Sequence, residues 1–214
     1  MATEIDWGQM GNEQSAGEGG PNQKKFLKFI SGKTHVFRPI GGGVEFFKFF
    51  VQTEKGKRSL NVNKDDKDKA AEILSKHFGK DIAPQHRYAI NVIDRDDGQV
   101  KIMEGGYSIF KFFGKWAKVN NQLPGSQAGG DWAIGVEGDG LQRRYTTGFM
   151  RPAPLTQEEL KRIKERKEMY SLKEVFKETP LNELLTKITG ESVAEPVVVG
   201  TDDGSTITDD PANW

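Results

Sequence analysis

HRYAINVIDRDDGQVKIMEGGYSIFKFFGKW, residues 86–116, holds three elements in a row. His86 to Asp94 alternates apolar residues with others and is rich in strand formers, which predicts a strand. Asp96-Asp97-Gly98 is a turn, because the Asp side chains can bond backbone amides and Gly98 tolerates a positive φ. Gln99 to Glu104 returns as a second strand. Gly105-Gly106 breaks the pattern, and Ser108 is placed to cap a helix running to about Asn120. The polar side of this unit carries Arg87, Arg95, Lys101, Lys111, Lys115 and Lys118, interleaved with Tyr88, Tyr107, Phe112 and Trp116. Bases stack on aromatic faces and phosphates pair with cations, so the mixture suits single-stranded nucleic acid.

Upstream, residues 1–23 are rich in Gly, Asn, Gln, Ser and Glu without periodicity, the composition of a disordered segment. From Lys24 the pattern changes. KKFLKFI reads as a strand, Ser31-Gly32-Lys33 as a turn and THVFRPI as a strand, followed by a glycine joint at 41–43. VEFFKFFV, residues 44–51, is a further strand. Its period of two puts Phe47, Phe49 and Val51 on one face and Phe46, Lys48 and Phe50 on the other. The second face is either covered by a neighbouring layer or used for stacking, and burial is the commoner fate of Phe. Glu54 to Arg58 is a basic turn, Ser59 to Asn63 continues as strand, and Lys64 to Phe78 is a helix with an apolar stripe and Gly79 at its C′ position.

Downstream, residues 120–130 form a loop by composition, and Asp131–Glu137 and Arg143–Met150 are two more strands joined by GDGLQ. Arg143 and Tyr145 share a face, with Arg144 opposite. Arg143-Arg144 reads either as a charged edge that guards against aggregation or as a phosphate contact. Thr156-Gln157-Glu158-Glu159 has capping-box spacing and opens a charged helix to about Met169; Ser171 to Glu174 repeats the signature. Residues 180–188 form a third short helix. About seven short strands with helices between them make the chain mainly β with helical insertions, a closed or partly closed barrel. The division is a disordered 1–23, a core of 24–155, a helical extension of 156–188 and an acidic tail of 189–214.

The formal charge of zero hides an uneven distribution. Residues 24–118 carry 20 bases against 11 acids, a net of +9, whereas residues 179–214 carry one base against seven acids, a net of −6. A basic body beside an acidic tail points to an anionic partner for the body and to a tail that competes with it. With 35 % hydrophobic residues and a mean hydropathy of −0.64, a core with polar flanks fits better than uniform globularity. The chain has no cysteine, which removes disulfides and thiolate metal sites. It lacks a membrane-length apolar run and a signal pattern, and a cytoplasmic location is expected. Asp94, Asp96 and Asp97 read as turn chemistry rather than as a metal site, because Gly98 follows directly. The Gly-rich stretches lack Walker spacing, and three scattered histidines suggest no catalytic set, so neither an enzyme nor a cofactor is expected.

FLKFISGKTHVFRPI, FFKFFV with EKGKR, RYAINVIDRDDGQVKI leading into SIFKFFGKW, GDGLQRRYTTGFMRP, SLKEVF and the acidic tail follow one another in an order that resembles the single-stranded-DNA-binding proteins of tailed phages, of the T-even type. The similarity covers roughly residues 24–178 and rests on the ordering rather than on any one motif. It implies an elaborated OB-fold β-barrel that coats single-stranded DNA without sequence specificity during replication, recombination and repair. It points to Tyr88 and Tyr145 as base-contacting rings, to Lys55, Lys57 and Arg58 as phosphate contacts, and to Lys111 and Lys115 beside the groove. Lys48, Arg87, Arg95, Arg143 and Arg144 complete the expected nucleic-acid set. The tail, through Asp209, Asp210 and Trp214, is expected to recruit replication and recombination proteins, with self-association along DNA a further expected contact. The alternative is a scaffold acting through that tail alone. Two departures from the family stand out: its structural zinc site has no cysteines here, leaving only His77 and His86 in that region, and its basic N-terminal arm is replaced by an acidic one.

Overall fold

The computed structural model describes residues 25–54, 56–165 and 169–189. One strand dominates. β1 runs unbroken from Thr34 to Thr53 and is shared by three neighbours. Its first part pairs with β5 (Gly130–Glu137), its last part with β2 (Gly56–Val62), and most of its other edge with β3 (Gln85–Asp94). β3 turns into β4 (Val100–Gly106), and β6 (Arg144–Pro152) lies outside β5. All ladders are antiparallel, in the order β4-β3-β1-β5-β6, with β2 attached to β1. β1, β3 and β4 form a meander, and β5 returns beside β1 after a long connection, which is Greek-key order.

The glycines at 41–43 do not separate two strands. They bend one, with a register shift between Ile40 and Gly43 and with Gly41 at φ 69°. A Cβ on Gly43 would lie 2.9 Å from the Ala89 carbonyl oxygen, so the bend depends on the missing side chain. Gly105 and Gly106 are the last two residues of β4, and Gly106 rather than the expected Ser108 is the N-cap of α2. KKFLKFI is not a strand. Within it only Phe26 bridges to β4 at Ile102, and the segment then crosses to β5, where the Gly32 amide donates to Val136. The strands among the described residues therefore number six.

The hairpin turn forms as its residues dictate. Gly98 has φ 68°, the Asp96 amide donates to Asp94 Oδ1, and the Gln99 amide donates to Asp97 Oδ1. Lys101 closes the hairpin with ion pairs to Asp94 (2.6 Å) and Asp97 (2.7 Å).

Paired residues share a sheet face. On the concave face, Phe37, Ile90, Val92, Met103, Trp132, Ile134 and Val136 form the main core with α2 (Tyr107–Asn120), which inserts Ile109 and Phe113. α2 touches both edge strands, β4 and β6. The sheet curls around it, but no ladder joins β4 to β6 among the described residues, so the expected barrel is not closed. Farther along the same face, Phe49, Val51, Leu60 and Val62 are covered by α1 (Lys67–Phe78) and α5 (Leu184–Thr189) in a second core. α1 ends at Gly79 in the left-handed conformation, as the sequence predicts.

The convex face is covered by the C-terminal extension. α3 (Gln157–Glu165) begins with a reciprocal capping box: the Glu159 amide donates to Thr156 Oγ1, and the Thr156 amide to Glu159 Oε2. Ile163, Met169 and Tyr170 pack over Ile40, Ile93 and Val100. α4 (Leu172–Val175) and Phe176 cover Phe46, Ala89 and Ile102. The buried side chain of Asn91 fixes this layer by exchanging two hydrogen bonds with the backbone of Tyr170.

Arg38 is the one fully buried cation among the described residues. Its guanidinium donates to the carbonyls of Ala153 (2.7 Å), Pro124 (3.0 Å), Ser126 (2.6 Å), Gln127 (3.3 Å) and Pro39. Burial, and next to it Arg95, lower its pKa against the opposing pull of Asp131 and Glu159. The loop after α2 is thereby folded around one side chain. Among the described residues, no helix is long and apolar enough to cross a membrane.

Candidate nucleic-acid interface

Two covered regions occupy the concave face, one under α2 and one under α1 and α5. Between them lies a row of rings. The β1–β3 register sets Phe47 opposite His86 and Glu45 opposite Tyr88. Phe47 and His86 stack at 4.6 Å with 12° between planes, His86 and Tyr88 follow at 4.5 Å, and Tyr88 stacks on Phe110 of α2 at 5.4 Å. Phe47 is buried, whereas His86, Tyr88 and Phe110 are half-exposed. The row runs from Lys67, whose Nζ lies 6.0 Å from the Phe47 ring centre at the start of α1, to the first turns of α2.

α2 supplies cations to the same end. Tyr107, Lys111, Lys115 and Lys118 recur at helical spacing and share its outward face. Tyr107 is 65 % exposed, Lys115 and Lys118 are exposed, and Lys111 lies 5.1 Å over the ring of Phe112. The Tyr88 hydroxyl is held above its ordinary pKa, first by burial and then by Glu45 and Tyr107, so it remains a neutral phenol through the physiological range.

The remaining expected contacts are dispersed. Tyr145 is on the concave face of β6, edge-on to Phe29 at 5.7 Å and packed on the main core. β1 and β5 separate it from Tyr88. Arg143 is half-buried and its Nε makes no hydrogen bond; Arg144 is exposed opposite Glu137. Lys57 and Arg58 are in β2 rather than in a turn, opposite Gln52 and Val51. Lys48 and Arg87 point to the convex face. Lys48 is 2.6 Å from Glu104 and packs between the rings of Phe46, Phe50 and Phe176, while Arg87 bonds Gln85 and lies over Phe50. Phe46 is therefore core, the commoner of its two expected fates.

Arg95 is held by Asp131 (2.8 Å) and Glu159 (2.5 Å). Burial would lower its pKa, but these two carboxylates override that and raise it. It ties β5 and α3 to the hairpin and has little left for a phosphate. Lys55, Asp209, Asp210 and Trp214 lie outside the described residues, as does the expected acidic tail.

The structure thus joins Tyr88 to Phe47, His86 and Phe110 and sets Glu45 opposite it, a grouping that the sequence reading did not make; Tyr107, Lys111 and Lys115, which it did name, lie together on the outward face of α2. Period two already places His86 beside Tyr88, but their union with Phe47 and Phe110 needs the strand register and the seating of α2. Among the described residues, no group of three or more His, Asp or Glu side chains is placed to hold a metal ion. Compared with protein-family models and with curated proteins, this sequence matches none.

Proposed function

We propose that the chain binds and coats single-stranded DNA without sequence specificity, in replication, recombination and repair. Bases pack against the solvent-facing rims of His86, Tyr88 and Phe110, and phosphates run along the lysines of α2. The observation that carries this reading is the row itself: half-exposed rings in line, bordered by a cationic helix face. A purely structural aromatic cluster has no need of that border, whereas a sequence-tolerant grip on a single strand needs both parts.

The sheet supports the reading in outline. With β2 and α1 taken as an insertion in the first hairpin, the order of the other five strands is compatible with a partly open OB-type barrel. Tyr88 then falls on the second strand of that barrel, where such folds hold nucleic acid. The acidic 189–214 segment would recruit protein partners and compete with DNA for the basic body.

Anisotropy titration of labelled oligo-dT at several salt concentrations tests the proposal. The expected result is tight binding that weakens steeply with salt, the slope reporting about 0.7 per neutralised phosphate. Affinity no better than that of an unrelated acidic protein ends it.

A further inference from the structure

Glu45 is out of place in a phosphate-binding surface. It sits directly across the β1–β3 ladder from Tyr88, and its side chain is 54 % exposed. His86 Nε2 lies 3.4 Å from Glu45 Oε2, an ion pair only when the imidazole is protonated. His86 is itself clamped between Phe47 and Tyr88, so the carboxylate stands beside an ordered ring rather than on a loose surface. A phosphate near Glu45 would be repelled. The edge of a base packed against the exposed rim of Tyr88 would not be, provided that edge offers an N–H.

We infer that Glu45 reads the edge of a base packed against the exposed rim of Tyr88 and biases the row toward bases carrying an exocyclic amino group, cytosine over thymine among the pyrimidines. The chemistry is one-sided. An ionised carboxylate only accepts hydrogen bonds. Cytosine presents the N4 amino donor, and acidic side chains accept from it, whereas thymine presents the O4 acceptor at the same position. The carboxylate therefore gains a partner in one case and faces a carbonyl oxygen in the other. This rests on the proposed function and adds a base preference to a grip that is otherwise sequence-tolerant.

The test compares oligo-dC and oligo-dT of equal length, at neutral pH and one salt concentration, for wild type, Glu45→Gln and Glu45→Ala. Thermal melting first establishes that each variant is folded; Glu45 is exposed, so both should be. A glutamine amide donates and accepts, and alanine does neither, so each variant should lose the bias. The dC-to-dT affinity ratio is expected to fall about two- to tenfold in both variants, the range for one hydrogen bond at a partly exposed site. If both oligomers bind wild type and the ratio is unchanged in the variants, the role of Glu45 is wrong while the nucleic-acid reading stands. If neither oligomer binds wild type, both fall together.

Discussion

Tyr88→Ala separates a stacking ring from a packing ring. Tyr88 is half-exposed, with Phe110 stacked on it at 5.4 Å and His86 tilted at 4.5 Å. Losing a half-buried ring should cost roughly 2 kcal/mol of stability, about half of the ~3–5 kcal/mol for a fully buried aromatic. Losing the ring's contact with one base should cost about 1–3 kcal/mol of binding, a ~5- to 150-fold weaker Kd. Tyr145→Ala is the control, because that ring packs on Phe29 and the main core. It should destabilise at least as much and weaken binding less. Tyr88→Phe keeps the ring and should bind like wild type. Oligo-dT anisotropy at fixed salt and urea denaturation give the two readouts. The reasoning is refuted if Tyr88→Ala is folded and binds within twofold of wild type. It is equally refuted if Tyr88→Phe loses as much affinity as Tyr88→Ala, since the ring would then not be what matters.

Replacing both Lys111 and Lys115 by Gln should weaken binding and flatten the salt dependence by about 1.4 in log–log slope, at ~0.7 per lost phosphate contact; an unchanged slope would move the phosphate path off α2. Arg38→Met should cost about 3–5 kcal/mol in urea denaturation, because it strands several buried carbonyls; a loss under about 1 kcal/mol would mean that the loop after α2 finds other donors. Glu159 is pulled upward in pKa by burial, but the Thr156 amide and Arg95 outweigh this and hold it below its ordinary value. Its contribution to stability is therefore complete above the ordinary glutamate range and is lost as pH falls through the folded value. Glu159→Gln should melt below wild type near neutrality, and the gap should close on acidification; a gap independent of pH would contradict the ion-pair account.

The parts legible in the sequence were those governed by neighbours in the chain. The Asp-Asp-Gly turn, the Gly79 helix stop and the Thr156–Glu159 capping box are short-range chemistry, and each formed as its residues dictate. Glycine misled where it served close approach rather than a break. Gly43 lets β1 pass the Ala89 carbonyl, and a Cβ on Gly105 would meet Ile109 at 2.8 Å, so both remain in strands. KKFLKFI has a strand's composition but finds only one bridge, at Phe26. The cations were hardest to sort. Lys48 and Arg95 resemble Lys111 and Lys115 in sequence, yet their partners Glu104, Asp131 and Glu159 lie 36 to 64 residues away. Composition cannot say which positive charges the fold has already spent.

The 20-residue β1 has a consequence for how a bound strand would be held. The ring row begins beside one hydrophobic core and ends beside the other, and a single ribbon of backbone runs through both. The two cores are thus tied together by one strand, bent at its glycines 41–43, and not by two bodies that close like a jaw. A nucleic acid lying there meets a fixed ruler, and a longer span must be reached by adding molecules rather than by stretching one.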